Sequence, residues 1–202
     1  RQVQPGLPRF CGGLAGYFGY DTVRYIESRL AKHHLPDELG VPDIQLILTE
    51  ELAVIDNVAG RIYLIVYADP SIADSFEKGQ ARLKELLACL SKPVSMPASL
   101  PSTKTELIRK FKAADFENAV LKTKEYILAG DCMQVVIGQR ISKPFTDSPL
   151  ALYRALRSLN PSPYMYFYDF GDLQVVGSSP EILVRQEQRE SQKIVTIRPL
   201  AG

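Results

Sequence analysis

The run Gly177-Ser178-Ser179-Pro180-Glu181 sets a carboxylate directly after a proline-fixed turn, between two apolar strand runs. A carboxyl in that position, drawn partly out of water, has the chemistry of a general acid; the alternative is an ordinary turn glutamate facing solvent. Gln134, within CMQVVIGQR, brings a neutral amide to a strand pattern, where it serves either an internal hydrogen bond or a ligand. His33 and His34 are adjacent in KHHLPDELG, ahead of Asp37 and Glu38. Consecutive side chains diverge, and the stretch has neither HExxH spacing nor a compact ligand pattern, so it reads as a solvated loop. No serine sits in a G-x-S-x-G elbow and no Cys/His arrangement stands out, which argues against covalent hydrolysis. Gly12, Gly13, Gly16 and Gly19 lack the GxGxxG order and downstream acidic residue of a dinucleotide loop.

The elements that must position Glu181 and Gln134 follow from periodicity. The early glycines alternate with aromatics in GGLAGYFGYDTVRYI, a strand with close backbone approaches. Ile44 to Thr49, Leu52 to Ile55 and Arg61 to Tyr67 are β-rich and separated by polar turns, so they predict an antiparallel meander with a hairpin over Asp56 to Gly60. From Ser71 to Leu90 the period becomes helical, with Ile72, Phe76, Leu83, Leu86, Leu87 and Leu90 on one stripe. SKPVSMPASLPSTKT, residues 91–105, is rich in proline and serine and breaks both periods. A second helix is expected from the Asp115 cap to Gly130, carrying Phe116, Val120, Ile127 and Leu128 on its apolar side. Met133 to Ile137 then predicts a strand with Gln134 and Val136 on one face. Pro149 to Leu159 reads as a helix. An aromatic strand in NPSPYMYFYDF follows, turning at Asp169 to Asp172 into LQVVGSSPEILVRQE, and Lys193 to Ile197 returns as a further strand. Helices interleaved with antiparallel strands define an α+β chain. Residues 1–105 form a β-rich portion with one helix, and residues 106–202 a second region.

Bulk properties narrow the function classes. The chain has 202 residues, 46% hydrophobic and 23% charged, enough to build a substantial core. Its 24 basic and 23 acidic residues leave a net charge of +1, which gives no general electrostatic reason to bind nucleic acid or an anionic membrane. Cys11, Cys89 and Cys132 are widely spaced and show no ligand pattern, so a reducing cytoplasm fits better than a disulfide framework or zinc site. No run approaches the roughly 20 apolar residues that span a bilayer.

GGLAGYFGYDTVRYIE, DELGVPD, AGDCMQVVIGQR, NPSPYMYF, VVGSSPEIL and RPLAG occur in this order over most of the chain. Together they resemble the large, chorismate-converting subunits of anthranilate synthases, within the wider group of chorismate-utilising enzymes. The resemblance implies orthogonally packed antiparallel sheets flanked by helices, a four-layer α/β/β/α fold, of which this chain holds an incomplete part. It also implies a magnesium-dependent reaction. Ammonia, supplied from glutamine by a partner amidotransferase, adds to chorismate as the 4-hydroxyl leaves, and loss of pyruvate gives anthranilate for tryptophan synthesis.

On that resemblance Glu181 matches the acid that protonates the departing hydroxyl. Gln134 stands where isochorismate and salicylate synthases carry a water-activating lysine, so its amide implies ammonia as nucleophile. Ala201 in RPLAG replaces the lysine with which aminodeoxychorismate synthases attack the ring, and Ala201 and Gly202 border the substrate. Asn160, Pro163, Tyr164 and Met165 match a tryptophan feedback site, although Tyr164, Met165, Tyr166 and Phe167 also suit a core strand. Gly138 departs from the serine usual in this segment. The Mg²⁺ ligands and the clamps for chorismate carboxylates are expected beyond residue 202. The isolated 202-residue chain is therefore expected to be inactive. The alternatives are an aminodeoxychorismate synthase large subunit, which Ala201 disfavours, and a non-catalytic tryptophan-binding regulatory fragment.

Overall fold

β1 (Gly13–Phe18) runs antiparallel to β2 (Ile44–Thr49), in a register from Gly13↔Thr49 to Phe18↔Ile44. The pair comes from a computed structural model that describes residues 6–32, 36–95, 105–189 and 192–198. His33 and His34 lie outside the described residues. The strands approach so closely that a β carbon on Gly16 would collide with the Gln45 carbonyl oxygen, which explains a glycine in the middle of an aromatic strand. Two 3-10 turns, Tyr20–Tyr25 and Leu30–Lys32, follow β1. Tyr25 donates to Asp43 Oδ2 at 2.7 Å and Tyr17 to the Pro42 carbonyl at 2.8 Å, so the DELGVPD stretch is tied back to the tyrosines before β2 begins.

The next pair is β3 (Glu51–Asp56) with β4 (Arg61–Val66), closed by a turn in which Asp56 accepts from the Val58 and Ala59 N–H groups and Gly60 takes a φ of 62°. The expected three-stranded meander does not form: β2 pairs with β1, and β3 with β4. Glu50 alone separates β2 from β3, whereas the tightest common hairpin loops take two residues, so the chain changes partner here instead of reversing. α1 (Ser75–Leu90) packs on β4, with Gly79 near Ala68 and Val66. It starts four residues later than the helical period suggests. Only the line Ser75, Gly79, Leu83, Leu86 is half-buried, while Ile72, Phe76, Leu87 and Leu90 of the expected stripe stay exposed. A two-stranded surface is too narrow to cover the whole stripe. Arg82 anchors the helix by chelating Glu51 through Nε and Nη2, at 2.8 and 3.0 Å, and reaches Glu85 with Nη1 at 2.8 Å.

These elements belong to one compact unit, Arg1–Ser95; the second is Met96–Gly202. In the second, a short pair β5 (Ile108–Arg109) and β6 (Ile141–Ser142) brackets α2 (Ala113–Ala129). α2 begins before the expected Asp115 cap: Lys112 is the extended N-cap residue, and Phe111 packs edge-on against Phe116, ring centres 6.1 Å apart. That staple across the N-cap fixes the helix start, and Asp115 sits in the first turn, where a carboxylate complements the helix dipole. Gly130 ends the helix at φ 82°, with Asp131 N–H donating to the Tyr126 carbonyl.

Residues 133–137 form no strand. The segment is without a regular element, and among the described residues it has no ladder partner; Met133 and Val136 are exposed. α3 (Pro149–Leu159) has the predicted bounds, with proline in its first turn after Ser148, and packs on the hairpin β7 (Tyr164–Asp169) and β8 (Gln174–Ser179). The stretch expected as a single partner strand is divided. Pro180 has no N–H to continue a ladder, so β8 stops at Ser179 and β9 (Val184–Arg189) starts anew, pairing with β10 (Gln192–Ile197). All strand pairings among the described residues are antiparallel and the class is α+β. Among the described residues only Cys11 is buried, its carbonyl accepting from the Tyr67 hydroxyl at 2.7 Å.

Candidate active site

The site is built from the far end of the β7–β8 hairpin, away from its turn. At the turn, the Asp169 carboxylate accepts from Gln174 Nε2 at 2.9 Å and from the Gly171 N–H at 3.0 Å, and these two bonds, the side-chain one foremost, hold its carboxyl below the usual range. The fixed turn sets the register, which ends with Met165↔Ser178 and Tyr164↔Ser179. Adjacent residues in a strand point to opposite faces and cross-strand partners share one. Met165, Phe167 and Ser178 thus face α3, where the Phe167 ring lies 6.1 Å from Tyr153. Tyr164, Tyr166 and Tyr168 share the other face with Ser179, and the rings of Tyr166 and Tyr168 stack at 5.5 Å.

The two serines tie this end of the hairpin in both directions. Ser178 Oγ donates to the Asn160 carbonyl at 3.1 Å, fastening the C-terminal end of α3, and Ser179 Oγ donates to the Glu181 carbonyl at 2.8 Å. Glu181 is half-buried in the turn between β8 and β9. Asn160, Pro163 and Tyr164 are exposed and Met165 is half-buried. The proposed effector residues therefore divide, Met165 and Asn160 toward α3 and Tyr164 toward the face of Ser179. Ser178 and Ser179 were not among the residues singled out from sequence, although two hydroxyls on opposite faces at a strand end were a usable signal.

Gln134 is exposed on the irregular segment after α2. Among the described residues no hydrogen bond, ion pair or ring contact joins it to Glu181. Ile137 and Gln139, further along that segment, line a cavity of about 400 Å³ with Arg109, Phe111, Phe116 and Glu117. Gly138 has open space where a β carbon would sit, so the backbone there does not require glycine. Ala201 and Gly202 lie outside the described residues. The described residues bring no three His, Cys, Asp or Glu side chains together in a group that could hold a metal ion. These described residues do not fit Mg²⁺. None of the described helices is long and apolar enough to cross a membrane.

Residues 1–202 match the family described as chorismate binding enzyme. The chain is 55% identical to anthranilate synthase component 1 of Neisseria meningitidis serogroup B strain MC58 over 201 residues, 98% of this chain and 40% of that protein. Identity is 54% over 203 residues with the Pseudomonas aeruginosa protein of the same name, and 40% over 201 residues with that of Aquifex aeolicus. The chain spans about 40% of the length of these relatives. Its fold is similar to the crystal structure of anthranilate synthase component I from Streptococcus pneumoniae TIGR4, with a TM-score of 0.77 and 33% identity over 93% of this chain and 42% of that one. The chain belongs to the chorismate binding enzyme family, and its antiparallel sheets with flanking helices are part of that fold.

Proposed function

We propose that these residues are part of an anthranilate synthase large subunit, and that the full-length protein converts chorismate and ammonia to anthranilate, pyruvate and water. Glu181 is the general acid: it protonates the 4-hydroxyl as ammonia adds to the ring, and the hydroxyl leaves as water. The observation that carries this reading is the position of Glu181, half-buried in the turn that closes β8, its main chain held by the Ser179 hydroxyl. Gln134 supplies a neutral amide, which can position a nucleophile but cannot take a proton from water, consistent with ammonia as the attacking group. Similarity to proteins named anthranilate synthase component 1 supports the substrate and product. Mg²⁺, a glutamine amidotransferase partner and a cytoplasmic location belong to the same proposal. So does tryptophan binding by Asn160, Pro163, Tyr164 and Met165.

Product identity tests the reading. Full-length protein given chorismate, ammonium and Mg²⁺ is expected to form anthranilate, followed by its fluorescence. Accumulation of aminodeoxychorismate would assign the activity to the sister reaction instead, and tryptophan binding without any chorismate turnover would leave a regulatory module.

A further inference from the structure

The turn that carries Glu181 joins strands of two different pairs. β8 ends at Ser179 and β9 begins at Val184, and Pro180 has no N–H to donate. The Leu183 carbonyl at the end of the turn accepts from the Arg198 N–H at 3.3 Å, and among the described residues no main-chain to main-chain hydrogen bond involves residues 180–182. At Glu181 itself the turn is held by the 2.8 Å donation from Ser179 Oγ to the Glu181 carbonyl, partly buried. Ser179 is itself fixed, because it is the last ladder residue of β8 and pairs with Tyr164. With Pro180 locked in φ, this hydroxyl closes a short ring from the strand end to the Glu181 main chain.

We propose that Ser179 is a positioning residue for Glu181: its hydroxyl transfers the fixed geometry of β8 to the turn and so sets where the Glu181 carboxyl stands. The proposal rests on the general-acid reading of Glu181. A proton donor must come within about 2.6–3.2 Å of the leaving oxygen, and a misplacement of about 1 Å is enough to cost up to about 100-fold in rate. Without the Ser179 hydroxyl the turn is free to pivot at Glu181 while the strand ladder stays whole. The loss should therefore fall on turnover and spare substrate binding.

The test compares Ser179→Ala, Ser179→Thr, Glu181→Gln and the Ser179→Ala/Glu181→Gln double variant in the full-length protein, by steady-state anthranilate formation from chorismate and ammonium. Ser179→Ala is expected to lower kcat between about 10- and 100-fold, with KM for chorismate within about twofold of the parent. Ser179→Thr, which keeps the hydroxyl, should recover most of the rate. In the Glu181→Gln background, removing the hydroxyl should cost nothing further, since the group it positions is gone. Unchanged kcat in Ser179→Ala, a loss confined to KM, or a loss that multiplies on that of Glu181→Gln would overturn the proposal. Full turnover by Glu181→Gln would remove the general-acid reading and the proposal with it; a Ser179→Ala variant that keeps the parent kcat beside an inactive Glu181→Gln removes only the proposal. Should the alanine variant not fold, Ser179→Cys, of similar size and a weak donor, gives the same comparison.

Discussion

Glycines at two positions with opposite surroundings give clear expectations at the level of single residues. A β carbon at Gly177 would collide with the Tyr166 ring lying across it, so Gly177→Ala must swing that ring off its stack with Tyr168. The cost expected in a denaturant midpoint is about 1–3 kcal/mol, and it should nearly vanish in a Tyr166→Ala background. Gly138 has open space around it, and Gly138→Ser should change stability by no more than about 0.5 kcal/mol. A large loss there would mean that the segment packs differently in the full-length protein. The turn at Glu181 was legible in the sequence because proline and two strand runs bracket it, whereas the acid role came only with the family resemblance. The bond from Ser179 was not, since neither burial nor the direction of a hydroxyl can be read from a string of residues.

Caps and turns govern the behaviour of the elements. Gly130 ends α2 at φ 82° with nothing near its absent β carbon, so Gly130→Ala carries only the conformational penalty, about 1 kcal/mol, and Gly130→Asn less. Thermal midpoints of the three proteins check the order. The β7–β8 turn adds a pH dependence. Hydrogen bonds from Gln174 and Gly171 lower the Asp169 pKa on folding, so its stabilising contribution is present above the unfolded value and is lost as pH falls through the folded one. Exchange of the Gly171 amide, corrected for intrinsic rate, should rise on acidification through the carboxylate range, and Asp169→Ala should abolish that dependence. α3 and this hairpin could be read in advance because Ser148-Pro149 and Phe170-Gly171-Asp172 are local punctuation. The start of α2 was misplaced because a staple between Phe111 and Phe116 outweighs an acidic cap candidate. Residues 133–137 have a strand's alternation, but a strand needs a partner, and that information is not local.

At the scale of the molecule, unburied apolar surface dominates. Among the described residues Leu128, Met133 and Val136 are 87%, 96% and 66% exposed. A chain of this kind is expected to bind an environment-sensitive hydrophobic dye and to self-associate when produced as 202 residues alone. Spanning about 40% of the length of its relatives, the 202 residues alone should also form no anthranilate. A monomeric, dye-negative chain with turnover would contradict this. The decisive measurement uses the full-length protein: anthranilate fluorescence from chorismate and ammonium, for the parent and for Glu181→Gln. If Glu181 is the acid, the parent makes anthranilate and the variant falls between about 100- and 10,000-fold in kcat while still binding chorismate. A variant as fast as the parent, or a parent that leaves chorismate untouched, would contradict the assignment.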